Sequence, residues 1–388
     1  MLYIKIIFFF SGVILIHSYG GYAILASLLI NFRKKPKAFY IDEEERTVTL
    51  LIAAYNEQDF IEEKIKNSLA LSYPKDKLSI LIVTDGSTDR TTEIVEKYKE
   101  VKLFHENSRN GKVAAIDRVM QFVTTDIVVF SDANTLLNTE SIQKITRHYA
   151  DPKVGGVAGE KRVVTQHTKQ LAGSGEGLYW KYESALKSID SKFYSVVGAA
   201  GELFSVRTRL YSNPGKDVIL DDFVISLKIC QDGYRIVYEP EAYATEGPSK
   251  NIHEEKKRKV RIGAGGFQGI SIMKNLLRFW ETPKLSYLYI SHRVLRWTLC
   301  PLSIPILLIS NALIISKDAG YIFVTIWYLQ CLFYSLAFVG WALSRLNLKL
   351  SLPYVAYYFL FMNITLYQGF IKFLLGNQSA VWDKAKRA

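Results

Sequence analysis

Apolar residues run almost unbroken from position 2 to 30, interrupted by the single charge of Lys5. The run exceeds the roughly 20 residues that cross a hydrocarbon core, which predicts a membrane helix over residues 1–32. A cleaved leader is the rival reading, but its apolar part usually spans only about 7 to 15 residues, and Lys5 makes a thin charged start. Near the other end, 294–315, 321–343 and 352–375 each approach or exceed spanning length with almost no charge. They predict three helices within 294–375, ahead of a basic tail at 376–388. Just before them, residues 269–280 alternate apolar and basic positions at helical spacing. Within 269–293 this suits a helix lying in the membrane interface, and equally an amphipathic helix packed on a soluble domain.

The segment between these apolar ends has a different rhythm. Residues 47–54 form a compact apolar run rich in β-branched side chains, which predicts a buried strand. Residues 60–71 carry apolar positions at helical spacing and stop at Ser72-Tyr73-Pro74, and 78–84 is again a continuous apolar strand. Asp85-Gly86-Ser87-Thr88-Asp89 then supplies a turn and an N-cap for a helix over 91–98. Alternation of this kind predicts an α/β domain over 45–268, with a mainly parallel sheet flanked by helices. In such a sheet the loops at the carboxyl ends of the strands gather at one edge and form the ligand crevice.

Composition narrows the partners. The 388 residues are 49% hydrophobic and carry a formal charge of +12, which brings nucleic acid to mind. The basic residues cluster at membrane boundaries, however, and no zinc, homeodomain or RNP pattern is present, so anionic lipid headgroups of a bilayer are the simpler partner. Arg33, Lys34, Lys35 and Lys37 follow the first span and place the soluble domain on the cytoplasmic side of a multi-pass protein of the cell membrane. Three later spans then put the C-terminus outside, against the preference of Lys384, Lys386 and Arg387. Cys230, Cys300 and Cys331 have neither paired nor metal-ligand spacing and read as ordinary buried thiols.

Several polar motifs follow predicted strands. Ala54-Tyr55-Asn56-Glu57 and Asp85-Gly86-Ser87 suit recognition of a nucleotide, or plain turn chemistry. In Asp132-Ala133-Asn134, after the strand at 127–130, oxygen-bearing side chains two positions apart can approach one hard cation, or form an Asx turn. Asn110-Gly111-Lys112 opens a helix and sets a cation beside helix N-terminal amides, where phosphate oxygens can lie. Asp221-Asp222 begins the helix predicted over 223–230, so one carboxylate can act as a base while the other caps or orients.

The ordered set Ala54-Tyr55-Asn56-Glu57, Thr84-Asp85-Gly86-Ser87-Thr88-Asp89, Asp132-Ala133-Asn134, Asp221-Asp222 and Gly233-Tyr234-Arg235 resembles the membrane-integrated inverting family 2 glycosyltransferases. Cellulose, chitin, hyaluronan and poly-N-acetylglucosamine synthases are members of that group. The resemblance covers residues 45 to 270 in motif detail, and extends in layout to the spans and to Trp382-Asp383-Lys384. It implies a GT-A fold, a UDP-sugar donor, a polysaccharide or lipid-linked acceptor, and Mg2+ or Mn2+ as cofactor. By the same resemblance Asp222 is the catalytic base, while Ala54, Tyr55, Glu57, Asp85, Lys112, Asp132, Arg258 and Arg261 hold the donor. Gly201, Glu202, Asp221 and Ile262 face the acceptor, Arg207 accompanies that loop, and Asp132 with Asn134 binds the metal. Two departures stand out. Asn134 replaces the second aspartate of an Asp-x-Asp motif, and Arg258-Lys259-Val260-Arg261-Ile262 stands where the group has Gln-x-x-Arg-Trp. Retained charge at Arg258 and Arg261 suits a leaving diphosphate, whereas Ile262 weakens the expectation of processive synthesis. A non-processive lipid glycosyltransferase and a nucleotide-binding membrane scaffold are the alternatives.

Overall fold

The computed structural model of the chain describes residues 1–32, 46–163, 171–317, 320–346, 348 and 350–376, with the backbone alone for 171–176. Arg33, Lys34, Lys35 and Lys37, the basic tail with Lys384, Lys386 and Arg387, and the Trp382-Asp383-Lys384 motif lie outside the described residues.

Eight strands form one sheet: β1 (Val48–Ala54), β2 (Leu78–Asp85), β3 (Val101–Glu106), β4 (Ile127–Asp132), β5 (Leu136–Leu137), β6 (Val154–Val163), β7 (Leu203–Arg207) and β8 (Arg235–Glu246). Their order is β3-β2-β1-β4-β7-β6-β8-β5. β1 to β4 are parallel where they pair, β7 runs antiparallel to β4 and β6, β6 pairs parallel with β8, and β5 pairs antiparallel with β8. The sheet is therefore mixed and mostly parallel.

Alternation along the strands explains why both faces are covered. Leu51 and Ala53 of β1 join one apolar core, while Leu50, Ile52 and Ala54 join the other. After the N-terminal apolar helix α1 (Leu2–Ile16), helices flank the sheet accordingly, among them α2 (Ile61–Leu69), α3 (Lys112–Met120), α4 (Leu171–Phe193) and α5 (Asp221–Gln231), while α6 (Ile252–Ile272) packs on α5 and on the helix Ser351–Leu374. Register then sets one edge. Ala54 lies beside Thr84 and Ala53 beside Asp132, so β1, β2 and β4 end together. Because β7 is reversed, its start at Leu203 pairs with Ser131 and brings Gly201 and Glu202 to the same edge. Arg207 pairs with Ile127 at the opposite end of the strand and donates to the carbonyls of Tyr149, Asp151 and Val154. Its expected place with the acceptor loop is thus corrected by the strand reversal.

Among the described residues, two helices are long and apolar enough to cross a membrane, Leu2–Asn31 and Tyr321–Arg345. A third candidate arises when Pro283–Trp297 and Leu299–Ile315 are taken as one span bent by 57°. The stretch expected at 294–315 is accordingly interrupted near Thr298, where the backbone leaves regular helical geometry. The last helix, Ser351–Leu374, has 24 residues but interleaves Tyr354, Tyr358, Asn363 and Gln368 with its apolar positions. Residues 269–280 are not one helix. α6 ends at Ile272 and a 3-10 turn, Lys274–Leu277, follows, because Met273 and Leu276 are drawn into the core and leave Phe279 and Trp280 exposed.

Candidate active site

A cavity of about 950 Å³ opens at the shared strand edge. Its lining brings together Glu57, Lys112, Asp132, Asn134, Gly201, Glu202, Asp221, Asp222, Arg258, Arg261 and Ile262, residues separated by up to 205 positions in the chain. Ala54, Tyr55 and Asp85 are not in that lining.

The floor is built around a lysine. Gly111, at φ 94°, takes the left-handed region that favours glycine and turns the chain into α3, whose first residue is Lys112. Asp85, at the end of β2, fixes this turn: its two carboxylate oxygens accept from the backbone amides of Asn110 at 2.9 Å and Gly111 at 2.7 Å. Asp85 therefore positions Lys112 from behind the cavity wall. Lys112 Nζ donates to Asp132 Oδ1 at 2.7 Å. Burial disfavours the ammonium, but Asp132, Asp221 and Asp222 outweigh it and hold the group above the ordinary lysine value.

Opposite stands the first turn of α5. Leu220 precedes it outside helical geometry, and Asp221 and Asp222 open the helix where amides and the macrodipole favour negative charge. Burial and the adjacent Asp221 nevertheless push Asp222 up to about 7, against the pull of Lys112. Gly201 bridges the two sides, since a Cβ there would lie 3.5 Å from both Asp222 Oδ2 and Lys112 Nζ. A carboxylate whose proton affinity is raised and a cation thus flank one backbone segment without a side chain.

Around this centre the sequence reading missed several charges. Lys64 of α2 is fully buried and donates to Ser131 Oγ at 2.7 Å and the Thr135 carbonyl at 2.8 Å, clasping both ends of the Asp132-Ala133-Asn134 turn. Burial lowers its pKa to about 7, with Asp132 opposing the shift. Lys161 of β6 joins Glu202 to Glu246, and Glu246 accepts from Asn134 Nδ2 at 3.1 Å. From α4, Trp180, Glu183 and Lys187 add a further wall, and Glu183 pairs with Arg293 at 3.1 Å. None of these residues sits in a short motif. A lysine on an amphipathic helix reads as solvent-facing until tertiary packing covers it.

Arg258 and Arg261 enter from α6. Arg258 forms a two-pronged pair with buried Glu255, with both contacts at 3.0 Å, and Glu255 also accepts from Ser249 and Tyr358. The guanidinium is thereby fixed in direction as well as charged. Tyr55, away from the cavity, lies under the Arg109 guanidinium at 3.8 Å from its ring centre. Asp132 and Asn134 could present oxygens to a hard cation, and no group of three His, Cys, Asp or Glu side chains among the described residues forms a metal cage. This donor set fits an ion that takes most of its ligands from a bound diphosphate and water.

Comparison with known proteins agrees with this geometry. Residues 49–211 match the model described as Glycosyl transferase family 2. Poly-beta-1,6-N-acetyl-D-glucosamine synthase of Staphylococcus aureus (strain MSSA476) is 30% identical over 249 residues, 61% of this chain and 58% of that protein. The enzyme of the same name from Staphylococcus epidermidis is 27% identical over 248 residues, 61% of this chain and 57% of its own. The chain thus spans less than two thirds of the length of these relatives. A mannosyltransferase from Pyrobaculum calidifontis, solved with GDP-Man and Mn2+, matches with a TM-score of 0.71 at 20% identity, covering 97% of this chain and 100% of that one. The fold is GT-A-like.

Proposed function

From a chain whose residues 49–211 form a glycosyl transferase family 2 domain, we propose an inverting transfer of a sugar from a UDP-sugar to an acceptor hydroxyl at the cytoplasmic face of a membrane. The observation that carries this reading is the pairing, across Gly201, of Asp222 with the Lys112–Asp132 ion pair. Asp222 takes the proton of the acceptor hydroxyl as its oxygen attacks the anomeric carbon. UDP leaves on the opposite side, and the linkage inverts. Lys112, Arg258 and Arg261 meet the negative charge that develops on the departing diphosphate. A divalent ion, Mg2+ or Mn2+, held at Asp132 and Asn134, would supply further neutralisation of that diphosphate. On this reading Glu57, the member of the Ala54–Glu57 strand end that lines the cavity, faces the nucleoside, while Asp85 holds the turn that presents Lys112.

The relatives named for poly-N-acetylglucosamine synthesis support a β-linked polysaccharide as product. A second reading, single transfer to a membrane lipid, draws on Ile262 and on Lys372, a cavity-lining residue contributed by the last apolar helix. The full chain in detergent, given radiolabelled UDP-sugars, separates the two by product length. Asp222→Asn should retain UDP binding and lose transfer by about 100-fold or more. Turnover close to that of the unaltered protein would overturn the assignment of the base.

A further inference from the structure

Two groups on α4 lie outside the chemistry just described. Lys187 is 3% exposed, lines the cavity, and among the described residues its ammonium makes no hydrogen bond or ion pair. Trp180, seven positions earlier and so on the same helical face, also lines the cavity, and its indole Nε1 is buried with no hydrogen-bond partner among the described residues. Lys187 Nζ lies 5.6 Å from the Trp180 ring centre, and Lys161, which carries Glu202 beside Gly201, lies 4.9 Å from the same ring. Burying a donor without an acceptor is unfavourable, and tryptophan N–H groups and lysine ammoniums are ordinarily satisfied when enclosed. Two such donors side by side in a cavity wall mark the place of a ligand rich in oxygen acceptors.

Charge identifies the ligand class. Burial lowers the Lys187 pKa, with Arg293 acting in the same direction, while Glu183, Glu160 and Glu202 oppose them from a distance. Glu202 and Glu183, committed to Lys161 and Arg293, line the cavity beside these two donors and oppose a further anion, so the wall calls for neutral oxygens. We propose that Trp180 and Lys187 form an acceptor subsite for a neutral saccharide ring, with the indole N–H and the ammonium donating to its hydroxyl or N-acyl carbonyl oxygens. The proposal rests on the transferase reading and deepens it: the acceptor is a sugar, and its ring beyond the attacking hydroxyl is held by α4.

The test uses the full chain in detergent and a β-1,6-linked N-acetylglucosamine disaccharide as probe. Trp180→Phe keeps an aromatic ring and removes the N–H; Lys187→Met keeps the length and removes the charge, and Lys187→Arg restores a donor. Each substitution to Phe or Met should raise the disaccharide KM roughly tenfold, with the donor KM and the UDP Kd unchanged and partial rescue by Arg. Quenching of tryptophan fluorescence by the disaccharide, measured without turnover, should weaken in step. A disaccharide KM and quenching that stay the same in both variants, with melting temperature and UDP binding intact, would overturn the subsite. So would equal rises in donor and acceptor KM, or competition of inorganic phosphate with the disaccharide. Failure of the unaltered protein to bind UDP would strike the transferase reading instead, and disaccharide quenching would still judge the wall itself.

Discussion

In the proposed reaction Asp222 must be ionised when the acceptor hydroxyl arrives and hold the proton once the bond has formed, and its surroundings suit both. Its ionised form is disfavoured by burial and by Asp221, and recovered in part by Lys112. A base with a value near 7 gains its active form as pH rises, so kcat/KM for transfer should climb through about pH 7 and level off above it. Lys112→Met removes the recovering charge, and the limb of the pH–rate profile should move to higher pH whatever happens to the maximal rate. A limb that stays in place would show that Lys112 does not act on the base. The same shift has a signed consequence for folding. The folded state holds its proton above the pH at which the unfolded chain releases it, so stability falls as pH rises from the ordinary carboxylate range to about 7. Asp222→Asn should flatten that part of the stability curve, measured by thermal melting across pH.

At the scale of the element, the site owes its shape to strand ends and to one helix with little side-chain bulk. A Cβ on Gly265 of α6 would come within 2.8 Å of Ile219 and Leu220, just ahead of the carboxylate pair, and one on Gly269 would meet Phe223 at 2.9 Å. Gly265→Val should therefore displace the start of α5, lowering kcat by an order of magnitude or more while the UDP Kd, read by calorimetry, stays near that of the unaltered protein. Much of the arrangement was legible in the sequence. The strand expected at 47–54 is Val48–Ala54, that at 78–84 is Leu78–Asp85, and the helix expected at 60–71 is Ile61–Leu69, because continuous apolar runs and a proline stop leave little freedom. Asp85, Asp132 and Asp222 were visible as polar residues directly after such runs. The helix expected over 91–98 closes at Val95, and the reversal of β7 is absent from any local pattern, since a five-residue buried strand reads the same in either direction. The enclosed charges Lys64, Lys161, Glu183 and Lys187 were illegible for a related reason: what buries them comes from distant segments.

In the whole molecule the last apolar helix meets the α/β domain through that same glycine-rich face. A Cβ on Gly369 of the last helix would fall 2.8 Å from the Ala264 amide nitrogen and 2.9 Å from Gly263, so the two helices touch backbone to backbone. Two residues along α6 from Gly263, Gly265 presses on the segment that ends in Asp221 and Asp222. On the membrane reading proposed above, a tilt of the spanning helix Tyr321–Arg345, on which the last helix packs, thus reaches Asp222 through this backbone contact and the Ile219 and Leu220 side chains that Gly265 meets. Helices answer a mismatch with the hydrocarbon thickness by tilting. Lipid chain length then becomes a variable of the reaction itself: in vesicles of short-chain and long-chain phosphatidylcholine the same protein should differ in kcat while the donor KM holds, and a Gly369→Leu variant, with its helices held apart, should lose that dependence.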